Sequence, residues 1–328
     1  MAKHAQPRSD RPARVTASGH PLFSVLVACF GHESFVDGAI RSVWGQTIGD
    51  FEIIAVDDGS PGHTGALLDQ LAAESRVPMR VLHTLHGGAD TAFNMAASMA
   101  AGAYLALLNA EDEYAPDRLD AFGRVINKVG RFSWGFSAVS AIDESGAPLR
   151  PDSIPASRRR AIELSSKPIE ALTNFYLVNT AVSSGNLVVR TGVFRDVGGF
   201  RPYRHIGAWE LGIRLMMVAE PAILDRSLYR YRVHAADTMD EPAVEAEVRA
   251  MRASHKEQLG IDWGPASGAP QKCRSLSEVL SALDEEERYA VRVALWSLRG
   301  LRAVRPAHAM VRSAARSARA ARRRLRSL

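Results

Sequence analysis

The sequence predicts an α/β protein with a doubly wound, mostly parallel sheet, followed by a C-terminal helical extension. Four short apolar runs in the N-terminal third have the length of buried strands. Segments with apolar residues at helical spacing separate these runs, and such alternation is typical of parallel sheets with helices on both faces. The two cysteines, Cys29 and Cys273, argue against a disulfide framework and favour a reducing compartment.

The predicted elements of the first half alternate regularly along the chain. Apolar runs indicate strands at 23–29, 51–56, 79–84 and 104–108, and amphipathic spacing indicates helices at 34–46, 64–74 and 89–101. The second half is less regular. Its β-branched and aromatic segments predict strands at 131–142, 187–190, 222–224 and 228–231, and its helical spacing predicts helices at 209–218 and 241–259.

Composition shifts divide the chain into four predicted parts. Residues 1–20 are basic and contain prolines, which indicates a disordered leader rather than a cleaved signal peptide. The α/β domain is expected over 21–260, and a stretch rich in glycine and proline predicts a linker over 261–275. Residues 276–328 are expected to form a basic helical extension.

The positive charge of the protein is concentrated in its C-terminal tail. Ten arginines and no acidic residue lie between 299 and 328, so the net charge of +5 hides a body, 1–298, with a net charge of −5. A basic amphipathic helix favours contact with an anionic membrane surface, and a solvated helix is the alternative. The acidic body argues against a nucleic-acid partner. No segment is apolar for long enough to span a bilayer, which predicts a cytoplasmic protein that is peripheral on the inner face of the membrane.

Two acidic clusters follow predicted strands, and both would lie at the carboxyl edge of the sheet, where open parallel sheets bind ligands. The clusters are Asp57-Asp58 and Glu111-Asp112-Glu113. Oxygen ligands of this kind suit a divalent cation that neutralises a diphosphate. The alternative is that acidic residues simply favour loops and helix starts. The nearby His63, His83 and His86 are expected to be structural or solvated.

Several motifs follow one another in a recognisable order. They are Glu52 to Ser60, Gly87 to Asn94, Leu108 to Asp117, Gly185 to Arg190, Val197 to Phe200, Trp209 to Leu215 and Tyr231 to His234. Over roughly residues 21–235, this series resembles family 2 glycosyltransferases of the Rossmann-like GT-A fold.

The resemblance implies an inverting, hexosyltransferase-like enzyme of polysaccharide biosynthesis that uses a nucleoside-diphosphate sugar donor. Its acceptor would be a carbohydrate or a lipid-linked molecule of the cell envelope. The implied nucleotide contacts are Ala28, Phe30, Glu33, Asp58, Asn94 and Glu111. Mn²⁺ or Mg²⁺ would be bound by Asp112 and His234 and would stabilise the leaving diphosphate.

Three departures from the family pattern bear on activity. Asn109 replaces the usual first aspartate of the metal motif, and Phe93 replaces an arginine. Ala208 stands where the family carries its catalytic base, and alanine cannot accept a proton. One hypothesis makes Glu210 the base; the other is a catalytically impaired GT-A module that binds a nucleotide sugar or a partner protein.

Overall fold

A computed structural model describes residues 19–175, 178–233 and 241–259. The predicted linker, the basic extension, His234 and most of the leader lie outside these ranges, so their predictions stay untested. The chain divides into two compact units, Met1–Thr238 and Met239–Leu328.

Within the described residues, eight strands form one sheet. The strands are β1 (Phe23–Cys29), β2 (Phe51–Asp57), β3 (Met79–His83), β4 (Tyr104–Asn109), β5 (Glu113–Tyr114), β6 (Trp134–Ile142), β7 (Val188–Arg190) and β8 (Ala222–Arg232). The helices are α1 (Val36–Trp44), α2 (Thr64–Glu74), α3 (Ala89–Met99), α4 (Arg118–Val129), α5 (Ala156–Ser165), α6 (Pro168–Asn174), α7 (Thr191–Asp196), α8 (Gly207–Val218) and α9 (Glu241–Leu259).

The first half forms the parallel part of the sheet, in the order β3-β2-β1-β4, and this confirms the predicted α/β fold. Every residue of β1 and β2 is buried, because helices cover both faces. Phe23, Val25 and Val27 point into one core, which also contains Ile40 of α1 and Leu68 of α2. This two-sided burial explains why these strands are continuous apolar runs rather than alternating ones.

The second half extends the sheet with mixed pairing, in the order β7-β6-β8-β5. Strand β7 is antiparallel to β4, and β6 is antiparallel to β7 but parallel to β8. The two short strands predicted at 222–224 and 228–231 are one strand, β8. The register of its pairing with β6 shifts between Leu224 and Ser227. This irregularity accommodates the polar residues between the two apolar segments without ending the strand.

Candidate functional site

The pairing of the central strands brings three chain segments together at the carboxyl edge of the sheet. In the strand register, Cys29 lies opposite Asp57 and Ala28 lies opposite Asn109. Beyond the strands, the backbone N–H of Asp58 donates to the carbonyl of Cys29 at 2.8 Å. Both predicted acidic clusters therefore begin at the same edge, which is the usual ligand position of such sheets.

Asp58 is buried and its carboxylate holds the loop that leads into α3. Its two oxygens accept the backbone N–H groups of Gly87 at 2.7 Å and Gly88 at 2.8 Å. Gly59 makes this close approach feasible: it has φ 69°, and a Cβ there would lie 2.7 Å from the backbone nitrogen of His86. Asp58 thus shapes the wall of the edge, and its predicted contact with a nucleotide stays a prediction.

His86, expected to be structural or solvated, stacks on Phe30 at the mouth of this edge. The ring centroids are 4.0 Å apart and the planes are inclined by 26°. The Nδ1 atom of His86 lies 2.9 Å from the Oδ2 atom of Asp58, and Phe30 is 43% exposed. A flat aromatic surface held next to a buried carboxylate suits a planar, polar-edged ligand. The only sequence signal for His86 was its place three residues after β3, beside two glycines.

The other two predicted contacts at this edge differ in accessibility. Ala28 is buried near the end of β1, and its backbone carbonyl accepts the N–H of Ala110 at 3.2 Å, so its nucleotide contact stays a prediction. Glu33 is exposed, and its Oε2 atom accepts the backbone N–H of His63 at 3.3 Å. Glu33 therefore links the loop after β1 to the loop after β2.

Asp112, the predicted metal ligand, is completely buried and engaged by β8. Its Oδ2 atom accepts the hydroxyl of Tyr229 at 2.6 Å, and its Oδ1 atom accepts the backbone N–H of Arg232 at 2.7 Å. Burial and the nearby charge of Asp112 raise the pKa of Tyr229 well above its ordinary value, so this hydroxyl stays a donor. These contacts favour a structural role for Asp112 that fastens β8 to the edge.

Glu111 is the acidic residue of this segment that faces a histidine across the edge. Its Oε2 atom lies 3.4 Å from Nε2 of His32, a residue that the sequence did not single out. The described residues contain no group of three or more His, Cys, Asp or Glu side chains able to hold a metal ion. Mg²⁺ and similar cations need only one or two protein ligands when phosphate oxygens and water complete their shell. Glu111 supplies one carboxylate for such a partial ligand set, with His32 beside it; His234 lies outside the described residues.

Asn94, a predicted nucleotide contact, forms hydrogen bonds with the loop that precedes α8. Its amide accepts the backbone N–H of Phe200 and donates to the carbonyl of Phe200, both at 2.9 Å. Asn94 therefore ties α3 to the loop that precedes α8.

Glu210, the predicted base, forms a buried ion pair. Arg214 donates to both of its oxygens, at 2.8 Å from Nε and 2.6 Å from Nη2, and Arg201 approaches to 3.2 Å. The Glu210 side chain has no exposed surface. A general base must reach the proton of the acceptor hydroxyl. Both oxygens of Glu210 are instead directed at guanidinium groups, which favours a structural role.

Asp57 and His83 form a second charged pair, at the ends of β2 and β3. Burial alone raises the pKa of Asp57, but hydrogen bonds from Ser60 and His83 outweigh burial and lower it. Hydrogen bonds to Asp57, at 3.1 Å, and to Asp69, at 3.0 Å, raise the pKa of His83. Both members are therefore charged over a wide range around weakly acidic pH.

We expect His83→Gln to destabilise the protein more at about pH 5.5 than at about pH 9. A raised folded-state pKa gives stability that is complete below the unfolded value of 6.5 and is lost as pH rises through the folded value. Urea unfolding at the two pH values measures the difference. His63→Gln is the control, because the side chain of His63 is exposed. An equal loss at both pH values would contradict the assignment.

Among the described residues, no helix is both long and apolar enough to cross a membrane.

Comparisons with known proteins agree with this architecture. Residues 24–174 match the family model described as glycosyl transferase family 2. A glycosyltransferase of Bacillus subtilis, EpsJ, is 34% identical over 92 residues, which is 28% of this chain and 26% of the relative. A glycosyltransferase of Rickettsia prowazekii is 22% identical over 223 residues, which is 66% of each chain. This chain thus spans less than two thirds of the length of these relatives.

The crystal structure of S. aureus TarS residues 1–349 in complex with UDP-GlcNAc has the same fold. It aligns with a TM-score of 0.55 and 14% identity, over 91% of this chain and 92% of that one. The fold and the family match together identify a domain of the glycosyltransferase class. Residues 24–174 belong to glycosyl transferase family 2 by this match, and the fold is GT-A.

Proposed function

We propose that the protein is a metal-dependent, inverting, hexosyltransferase-like enzyme of polysaccharide biosynthesis. It transfers a sugar from a nucleoside-diphosphate sugar to a carbohydrate or lipid-linked acceptor of the cell envelope. The observation that carries the proposal is the convergence of Phe30, Asp58 and Glu111 at one carboxyl edge. The TarS complexes with UDP and UDP-GlcNAc make uridine nucleotides the first donors to test.

Different residues of this edge are proposed to contact different parts of the donor. The Phe30–His86 pair offers its face to the base, and the loop held by Asp58 lies beside the ribose. Glu111 and His32 would hold Mn²⁺ or Mg²⁺, whose charge stabilises a leaving diphosphate. The protein is proposed to work in the cytoplasm, and residues 21–260 are proposed to form its catalytic domain. Residues 276–328 would place it on the inner face of the membrane.

The first experiment measures the thermal stability of the full chain with a panel of nucleoside diphosphates, with and without Mn²⁺. A ligand that binds only the folded state stabilises it by about 2.7 kcal/mol at a hundredfold excess over its dissociation constant. We expect a metal-dependent rise with one nucleotide. No rise with any nucleotide would contradict the donor site.

We expect Phe30→Ala to weaken nucleotide binding by about tenfold to a hundredfold, because stacking on a base contributes about 1–3 kcal/mol. Titration of the thermal shift with the nucleotide measures the change. Leu85→Ala is the matched control, since Leu85 is an exposed apolar side chain in the segment after β3, with 94% of its surface in solvent. Equal binding by the two variants would remove Phe30 from the site.

A catalytically impaired module that binds a nucleotide sugar or a partner protein is the second candidate function. Ala208 favours it, and so does the burial of Glu210 in its ion pair. Nucleotide binding without any turnover of the sugar nucleotide would support this second candidate.

A further inference from the structure

Asp90 lies directly against the residue that begins α8. A Cβ at Gly207 would lie 2.6 Å from Cγ of Asp90 and still closer to its Oδ2 atom. No real Cβ approaches this closely, so the carboxylate of Asp90 occupies the space of a side chain at position 207. Gly207 is immediately followed by Ala208, the position that lacks a carboxylate. The carboxylate of Asp90 therefore lies against the residue directly before position 208.

A second contact, one turn along α3, repeats this arrangement. Asn94 is four residues after Asp90, so the two side chains share one face of the helix. A Cβ at Gly199 would lie 2.5 Å from Oδ1 of Asn94, just as one at Gly207 would overlap Asp90. Two glycines therefore allow this face of α3 to lie close to the chain that leads into α8.

An ion pair and its hydrogen bonds fix this contact in place. Arg214, held by Glu210, donates to the carbonyl of Gly199 at 2.7 Å and also to that of Val197. Asn94 binds the next residue, Phe200, through both its N–H and its carbonyl. A network of hydrogen bonds thus holds residues 197–200 against both α3 and α8, the two helices that bring Asp90 and Gly207 together.

Asp90 also lies next to the candidate donor edge along the chain. Asp90 is the second residue of α3, and the loop before it is held by Asp58 through Gly87 and Gly88. Asp90 is also partly exposed, unlike Glu210. The residue is therefore partly open to solvent, with its Oδ2 atom buried against Gly207, and it is located between the donor edge and the start of α8.

We infer that Asp90 is the general base of the transfer proposed above, in place of the residue at 208. Its carboxylate takes the proton of the acceptor hydroxyl while that oxygen attacks the anomeric carbon. The bond from this carbon to the diphosphate oxygen breaks, and the nucleoside diphosphate leaves with the electron pair. Asp90 then releases the proton to solvent.

The test uses the full chain, UDP-N-acetylglucosamine and Mn²⁺. Its readout is the UDP released when the sugar is transferred to water or to an added acceptor. We expect Asp90→Asn to slow turnover by about 10²–10⁴-fold, the usual contribution of a positioned base. The thermal shift by UDP should be unchanged. Asp120→Asn is the control: Asp120 is also in the first turn of a helix, α4, and pairs with Arg124.

A second variant moves the carboxylate. The double variant Asp90→Ala, Ala208→Asp should have a turnover at least tenfold higher than that of Asp90→Ala alone. Turnover of Asp90→Asn within about twofold of the parent would overturn the inference. So would loss of the UDP-induced shift together with activity and no recovery in the double variant, because that result indicates a structural role. If both the parent and Asp90→Asn turn over the donor, only the base is overturned. A parent protein that binds UDP without turnover supports the impaired module instead, and one that does not bind UDP overturns the proposed donor site.

Discussion

Replacing Arg118 with alanine should reduce the free energy of unfolding by about 4 kcal/mol, since the change combines a cavity with lost polar contacts. The guanidinium is completely buried and donates to the hydroxyl of Ser137 and to the carbonyl of Asn186, both at 2.7 Å. It also lies over the rings of Tyr114, at 4.7 Å, and Tyr229, at 5.3 Å. Alanine would leave the buried carbonyl without this donor.

Urea unfolding of two further variants separates the causes of this loss. Arg118→Met keeps most of the volume and removes a buried charge, so it should destabilise less than Arg118→Ala. Arg124→Ala, on the exposed side of the same helix, should change stability little. A loss below about 1 kcal/mol for Arg118→Ala would show that the cost of burying the charge cancels its contacts.

The sequence predicted strands β1 to β4 because both faces of each strand are covered, which produces uninterrupted apolar runs. It did not predict α4, whose first residue is Arg118 and whose centre contains Gly123. The sequence does not distinguish a buried arginine from a solvated one, because the contacts of Arg118 are with distant residues and leave no local pattern. The break in β8 was misinterpreted for a related reason, since a register shift is a property of the pair of strands.

For the candidate site, the sequence predicted which residues lie at the edge but not which way their side chains point. Asp112 is engaged by β8, more than a hundred residues later, and Asn94 by Phe200. These partners are distant in sequence, and nothing in their residue types marks them as partners of Asp112 or Asn94. Glu111 and His32 meet only because β1 and β4 are neighbours. Asp90 was not singled out, because an acidic residue in a first helical turn is common.

Replacing Glu210 with glutamine should reduce the free energy of unfolding by about 3–5 kcal/mol, because it leaves the buried Arg214 without its counter-charge. The Arg214 side chain is only 6% exposed, so water cannot take the place of the carboxylate. Denaturant unfolding measures the loss. Glu163→Gln is the matched control, since Glu163 also pairs with two cations but is exposed, and it should change stability little.

A double-mutant cycle tests whether the effect belongs to the pair. Glu210→Gln and Arg214→Gln, alone and combined, should give a coupling energy of about 1–3 kcal/mol. If Glu210 were the base, its glutamine variant would lose turnover and keep its stability, with no coupling. Unchanged stability would therefore revive the original prediction for Glu210.

The same variant also reports on how the site is held together. At a temperature where Glu210→Gln is still folded, loosening of Arg214 should release the carbonyls of Val197 and Gly199 and free Asn94 on α3. Turnover should then fall while the UDP-induced thermal shift persists, because the donor edge is held by Asp58 instead. Glu210→Asp, which keeps the charge, should recover part of the turnover. This loss of turnover, together with the loss of stability described above, distinguishes a residue that positions Asp90 from one that accepts the proton itself.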